Sequence, residues 1–281
     1  MVFRFKPEHK FIDLRLNQIW GDFHVHSRFS PDAHHSIDAI CRRALALGLE
    51  AVAITDHVEW RRRGLGNEDL EGYFEDIQRA KCKYQPLGLH VLSGVEVGNP
   101  HDYPRKYSAL LSLYPFDVVI ASLHWLGEDN IHDDTLFDGK NPDQVYQRYF
   151  QEMAGMIQVC DFDILAHPDR IFGTGLRLET PPDLLKLAPW MRRAASSLAQ
   201  KESLLELNTK YFSQYPDWGK TAAVFLNYFQ DAGGSGLVIN SDAHTPAEMT
   251  RSFQGAQLLL NKLGFNRAGH FLPSTVGALL L

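Results

Sequence analysis

Long hydrophobic runs are missing from this 281-residue chain. Nothing approaches the ~20 consecutive apolar residues that a membrane-spanning helix needs. The closing Gly-Ala-Leu-Leu-Leu is too short to insert and is expected to pack against the core. Cysteine is scarce as well. Cys41, Cys82 and Cys160 lie far apart with no Cys-x-x-Cys pair, which argues against a disulfide framework and for reduced thiols in a cytoplasmic protein. A basic excess is absent: 28 Lys and Arg stand against 34 Asp and Glu. That balance disfavours a nucleic-acid-binding module, which depends on neutralising phosphates. The N-terminal segment carries charges throughout and has no apolar stretch, so it does not read as a signal peptide. No low-complexity tract, linker or strong repeat divides the chain, and a single barrel domain over residues 1–281 is expected.

What is present begins with a substantial apolar fraction, 44% of residues, with 11% aromatic. This excludes disorder and, at this length, provides a core that needs no disulfide or partner chain. Short, often β-branched runs recur: QIWGDFHVH, EAVAITDH, HVLSGVEVG, FDVVIASLHW, DILAHPD, LLELNT and GLVINSDAH. Segments with helical spacing lie between them. Helix punctuation agrees. A first helix over Ser36–Leu47 stops at Gly48, Asn141-Pro142-Asp143-Gln144 opens another, and Thr245-Pro246-Ala247-Glu248 has the form of a capping box. Alternating strands and helices predict parallel strands with right-handed crossovers, and seven such units predict a complete or incomplete α/β barrel.

Thirteen histidines are the one oddity of the composition, and many of them fall where the strands end. His24 and His26, Asp56 and His57, Glu96, His124, His167, Asn208, then Asp242 and His244 close successive runs. Catalytic groups in such barrels gather at the C-terminal ends of the strands. His24-Val25-His26 has strand spacing, so both imidazoles project to one side and can share a divalent ion with carboxylates from elsewhere. Asp242-Ala243-His244 repeats the spacing near the other end of the chain. A lone histidine is more often a satisfied core residue, but a whole set of buried imidazoles and carboxylates without a cation would be costly.

The ordered series HVHS, TDH, GVE, SLH, AHPD and SDAH, from about Gly21 to His244, resembles the PHP (polymerase and histidinol phosphatase) metal-dependent phosphoesterases. Within that family the LELNTK segment and the chain length resemble the histidinol-phosphate phosphatase branch. The resemblance implies a distorted seven-stranded (β/α) barrel with two or three divalent metal ions at the C-terminal rim. It places His24, His26, Glu96 and Asp242 around one ion, Glu96 bridging to a second held by His124 and His167, and Asp32, His57 and His244 around a third. Mixed imidazole and carboxylate donors suit Zn, Mn or Fe better than Mg or Ca. Clustered cations would lower the pKa of a water and neutralise phosphate oxygens during in-line displacement.

Arg170, Lys210 and Arg28 follow or adjoin strands and are candidate phosphate-binding cations. Asp56, Asp169 and Asn208 are candidates for orienting ligands or touching substrate, and His35 and His101 for lining the pocket. Asp242 or His244 is a candidate for protonating the leaving group. Trp60, Tyr103, Trp125, Phe172, Tyr211 and Phe212 follow strand ends, with two or three expected to meet substrate. Arg61-Arg62-Arg63 reads as a solvated loop. The segments Trp125–Lys140 and Ile171–Thr180 are candidate lids. The leading expectation is hydrolysis of a small phosphorylated metabolite, L-histidinol phosphate first among them. Competing readings are a phosphodiesterase or nucleotidase, a phosphotyrosine phosphatase, a non-catalytic metal-binding PHP module, and a metal-dependent amide hydrolase.

Overall fold

The structure, a computed structural model, describes residues 8–13, 20–61, 69–265 and 267–272. The C-terminal Gly-Ala-Leu-Leu-Leu, as well as Arg62 and Arg63 of the triple-arginine run, lies outside the described residues. Seven strands form one sheet: β1 (Gly21–Val25), β2 (Ala51–Val58), β3 (His90–Gly98), β4 (Val118–Ser122), β5 (Ile164–Leu165), β6 (Leu204–Asn208) and β7 (Leu237–Asn240). They lie side by side in chain order and all pair in parallel. The two edges meet at a bridge between Val25 and Ala243, where the His26 amide donates to the Ala243 carbonyl at 2.8 Å. All seven apolar runs of the sequence are strands, and the fold is a distorted (β/α)7 barrel. A separate antiparallel pair joins Glu8–Asp13 to Arg267–Leu272.

The crossovers begin where the sequence punctuates them. Helix α1 (Ile37–Ala46) starts at Ser36, whose side chain accepts from the Ala39 amide, and Gly48 follows it at φ +72°. Helix α2 spans Leu70–Tyr84 and α3 spans Pro104–Leu113. Helix α4 (Pro142–Val159) is capped by Asn141, with proline in its first turn. The remaining helices are α5 (Arg170–Arg177), α6 (Leu184–Ala199), α7 (Trp218–Asp231) and α8 (Phe253–Lys262). The capping box at Thr245 opens only a single turn.

Two apolar layers hold this together. The larger lies between the sheet and the helices, and includes Val25, Ile54, Val95, Val119, Tyr149 and Phe172. A smaller cluster fills the barrel axis: Phe23, Ala51, Ala53, Leu92, Val118, Ile120, Ile164, Ala166, Leu204 and Val238. The inward positions follow strand alternation, every second residue. On β3 they run Leu92, Gly94, Glu96. Strand β1 departs from this rule, because its register against β2 shifts between Asp22 and Val25. The irregularity lets consecutive residues Phe23 and His24 both serve the interior, one as core and one as site.

Candidate metal centre

Glu96 occupies the middle of the rim and is buried. Its Oε2 faces His57 Nδ1 at 2.8 Å, His24 Nε2 at 3.2 Å and His26 Nε2 at 3.5 Å. Its Oε1 faces His167 Nε2 at 3.0 Å and His124 Nε2 at 3.3 Å, and accepts from the Ser122 hydroxyl. One carboxylate thus looks two ways. Asp242 Oδ1 lies 3.2 Å from His26 Nε2 and 3.8 Å from His24 Nε2. Asp32, at the mouth, reaches His244 Nε2 at 3.1 Å and His57 Nε2 at 3.6 Å. All nine residues singled out as ligands converge on one rim.

The backbone is bent to make this possible. His167 has φ +25° and Asp242 φ +51°, a region that costs a non-glycine residue about 1–3 kcal/mol. The His167 amide is held by Glu206 Oε2 at 2.9 Å. Where β7 runs past its last ladder bond, Ser241 donates through amide and hydroxyl to Asp22 of β1.

The electrostatics follow from crowding. Burial alone would raise the pKa of Glu96, but His24, His57 and His124 outweigh it and hold the carboxyl well below its ordinary value. Burial likewise opposes charge on His24, yet Glu206, Glu96 and Asp242 carry its pKa well above the usual one. Burial, followed by the nearby Arg170 guanidinium, pushes His167 down to about 4. Despite this charge, His24 Nε2, His26 Nε2, His57 Nδ1 and Glu96 Oε2 are buried without a hydrogen-bond partner. Unpaired polar atoms at such depth cost 1–3 kcal/mol each. Donor atoms of this chemistry, aimed at one another at ion-pair distance, fit divalent cations of the Zn, Mn or Fe kind. Five groups of three donor atoms close enough to share an ion occur among the described residues, three of them drawn wholly from the expected ligands.

Behind the donors stand carboxylates. Glu206 Oε1 accepts from His24 Nδ1 at 2.7 Å and from Asn240 Nδ2 at 2.9 Å. Asn208 donates to Glu206 Oε2 at 3.0 Å and accepts from the Lys210 amide, so it props the rim. Asp56 does not meet an imidazole directly. It binds the Ser27 amide and hydroxyl and the Ser30 hydroxyl, and Ser30 in turn lies 3.1 Å from His26 Nδ1. Asp169 is buried off the pocket, and burial raises its pKa to about 7. Glu59 and Glu206, neither singled out from the sequence, serve the rim as directly as the residues that were.

The donors open into a pocket of about 250 Å³, lined also by Arg170, Lys210, Trp125, Asn130, His132 and Glu59. Arg170 is buried, ion-paired to Asp242 Oδ2, and 5.1 Å over the Tyr211 ring. Lys210 Nζ is 3.3 Å from the same Asp242 oxygen. Arg28 is a correction: it turns outward to Asp76 at 2.8 Å, half exposed, and does not line the pocket. His35 and His101 also lie off the pocket wall, whereas His132 is on it. Of the six aromatics considered, only Trp125 lines the pocket, and Phe172 is core. The segment Ile171–Thr180 is no loop lid: α5 occupies most of it, largely buried. Trp125–Leu126 instead pairs with Asp129–Asn130 as a small hairpin at the mouth.

Comparison with known proteins places this geometry. The PHP domain family matches over residues 22–210. The histidinol-phosphatase of Lactococcus lactis is 25% identical over 253 residues, covering 89% of this chain and 93% of that protein. The DNA polymerase/3'-5' exonuclease PolX of Bacillus subtilis is 27% identical over 234 residues, 82% of this chain but 35% of that protein. The crystal structure of histidinol phosphate phosphatase from Lactococcus lactis, complexed with Zn, L-histidinol and phosphate, shares the fold. It superposes with a TM-score of 0.78 at 23% identity, covering 88% of this chain and 94% of that one.

Proposed function

Because the chain belongs to the PHP domain family, we propose that it is a metal-dependent phosphomonoesterase whose substrate is L-histidinol phosphate. The observation that carries the reading is the convergence of nine imidazole and carboxylate side chains on one rim, with unpartnered buried donor atoms, seven of the nine lining a pocket that also holds two cationic side chains. In this reading His24, His26, Glu96 and Asp242 hold one ion, Glu96, His124 and His167 a second, and Asp32, His57 and His244 a third. Bound there, Zn, Mn or Fe ions supply Lewis-acid charge to phosphate oxygens and lower the pKa of the attacking water.

The protein's own groups do the rest. Arg170 and Lys210 present cationic N–H donors to the phosphate oxygens that face away from the ions. Both meet Asp242 Oδ2 while Oδ1 faces His24 and His26, so phosphate recognition and the candidate ligand share one carboxylate through its two oxygens. Arg170 and Lys210 hold Asp242 as a carboxylate, which in this reading leaves His244, of the two candidates, to protonate the leaving alkoxide. Trp125, Asn130 and His132 wall the space left for the head group. That space lies below the ~300–1,000 Å³ usual for drug-sized ligands, which suits a small monoester better than a polymer. In this reading residues 1–281 form one barrel domain, and the net charge of −6 fits a cytoplasmic metabolic enzyme acting on a small phosphorylated metabolite. Among the described residues, no helix is long and apolar enough to cross a membrane.

The test is a side-by-side comparison of kcat/KM for histidinol phosphate, other small monoesters, and nucleotide or oligonucleotide diesters, using protein loaded in turn with Zn, Mn and Fe. Monoesters should lead diesters by at least about a hundredfold, roughly 2.7 kcal/mol in the transition state. Chelation should abolish turnover. Better rates on diesters would leave the family intact and overturn the substrate.

A further inference from the structure

Glu59 lies just beyond the end of β2, and its carboxylate joins two parts of the rim. Oε1 meets His124 Nδ1, and Oε2 accepts from Trp125 Nε1 at 3.2 Å. His124 offers its other nitrogen to Glu96, while Trp125 forms pocket wall. The carboxylate lies against Gly98, the last residue of β3. A Cβ at Gly98 would overlap both of its oxygens. The glycine is therefore needed for the space it leaves, not for an unusual φ. Glu59 is itself nearly buried, with its side chain 10% exposed.

The chemistry of the two neighbours is one-sided. The indole nitrogen is a donor only, and His124 Nδ1 must carry its hydrogen if Nε2 is to serve a cation. Two N–H donors therefore face one side chain, and only a carboxylate presents two acceptors. A glutamine would turn its amide NH2 toward one of them. The donor-to-donor clash would then be relieved by moving either the imidazole or the indole.

We infer that Glu59 is a positioning residue that ties His124 to Trp125, so that the cation centre and the head-group wall of the pocket adjust as one unit. This rests on the proposed metal centre but not on the identity of the substrate. Binding energy at either place is then felt at the other, as reciprocal coupling requires. The Trp125 environment should report cation binding although the indole is no ligand.

The experiment uses the full chain and Zn2+ alone, titrated against a competing chelator, with tryptophan emission followed throughout. The Trp125→Phe variant isolates the contribution of that indole. In the wild type, Zn2+ should change the Trp125 component of the emission. Glu59→Gln should weaken Zn2+ binding by about 10- to 100-fold, the range for outer-shell partners of metal-bound histidine, and should abolish that emission change. Gly98→Ala should reproduce both effects by displacing the carboxylate. The double variant Glu59→Gln/Trp125→Phe should recover most of the Zn2+ affinity, since the glutamine Oε1 is then free for His124. A purely structural defect would not be rescued by removing a second group. Tight wild-type binding that is unchanged in both Glu59→Gln and Gly98→Ala overturns the inference and leaves the phosphatase reading standing. Weakened binding with no rescue in the double variant overturns the link to Trp125. A wild-type chain that binds no Zn2+ overturns the metal centre itself.

Discussion

The lower and upper halves of the barrel axis are built from the same strands and the same inward-facing positions, yet they differ in kind. On β3, Leu92 belongs to the apolar axis cluster and Glu96, four residues later on the same face, is the hub of the imidazoles. On β2 the sequence of inward positions runs Ala51, Ala53, Thr55, His57. On β7 it passes from Val238 through Asn240 to Asp242. On each of these strands the switch from apolar to ionisable comes toward the C-terminal end, at a height staggered by the register: Glu96 pairs with Ile120, and Glu206 with Val238. Stability and chemistry are thereby assigned to different levels of one strand, as expected for barrels whose sites sit at the C-terminal rim.

This division predicts effects that separate by level. The largest belongs to Glu96→Gln, which removes a charge facing both sets of imidazoles. Turnover should drop by about 10³-fold or more, roughly 4 kcal/mol, and Zn2+ content should fall, with the urea midpoint of the metal-free protein little changed. Near wild-type turnover would remove Glu96 from the centre. Leu92→Ala is the mirror experiment one level down. It should cost about 2–5 kcal/mol in equilibrium unfolding, while the folded fraction keeps its kcat and its metal. A loss of kcat with unchanged unfolding would show that the two levels are not separate.

Arg170→Ala lies between, because the guanidinium is the proposed phosphate contact and is ion-paired to Asp242. A lost charge-assisted contact is worth about 1.5–3 kcal/mol in kcat/KM. Because its partner is left buried and unpaired, metal content should shift as well, measurable by elemental analysis. An effect on kcat/KM with metal content unmoved would make Arg170 a pure phosphate contact. The smallest effect should be that of Arg28→Ala, whose exposed pair with Asp76 is worth at most about 1 kcal/mol. Any loss of activity larger than twofold in that variant would mean that Arg28 reaches the site during turnover.

The strands and eight of the nine candidate ligands were legible because each is written locally, an apolar run ending in histidine or a carboxylate; Asp32, in the loop after β1, came only from the family resemblance. What failed to show was written at a distance. Glu206 was hidden inside a motif whose asparagine drew attention, although a glutamate at an inward position of β6 is itself a signal. Glu59 follows the Asp56-His57 pair by two residues, and only folding brings it against the start of the next strand's loop. His132 reads as an ordinary loop histidine until the hairpin at Trp125–Asn130 carries it to the mouth. Arg28 shows the opposite error, since nearness to His26 in the chain says nothing about which way a loop cation turns. The helix α5 was masked by its two glycines, Gly173 and Gly175, where Tyr211 and the Tyr146 hydroxyl press too closely for a Cβ.

The barrel's seam has a consequence for assembly. Val25 and Ala243 form the bridge that closes the ring, and the carboxylate of Asp242 meets the imidazoles of His24 and His26 beside it. Partners more than two hundred positions apart in sequence are slow to find each other. The first proposed ion site therefore stays incomplete until the seventh strand has docked, and a partly folded chain lacks Asp242, one of its four proposed ligands. An ion that prefers the completed set stabilises the closed ring by mass action. It acts as a clasp on the fold's most non-local join, so its retention reports that the ring has closed.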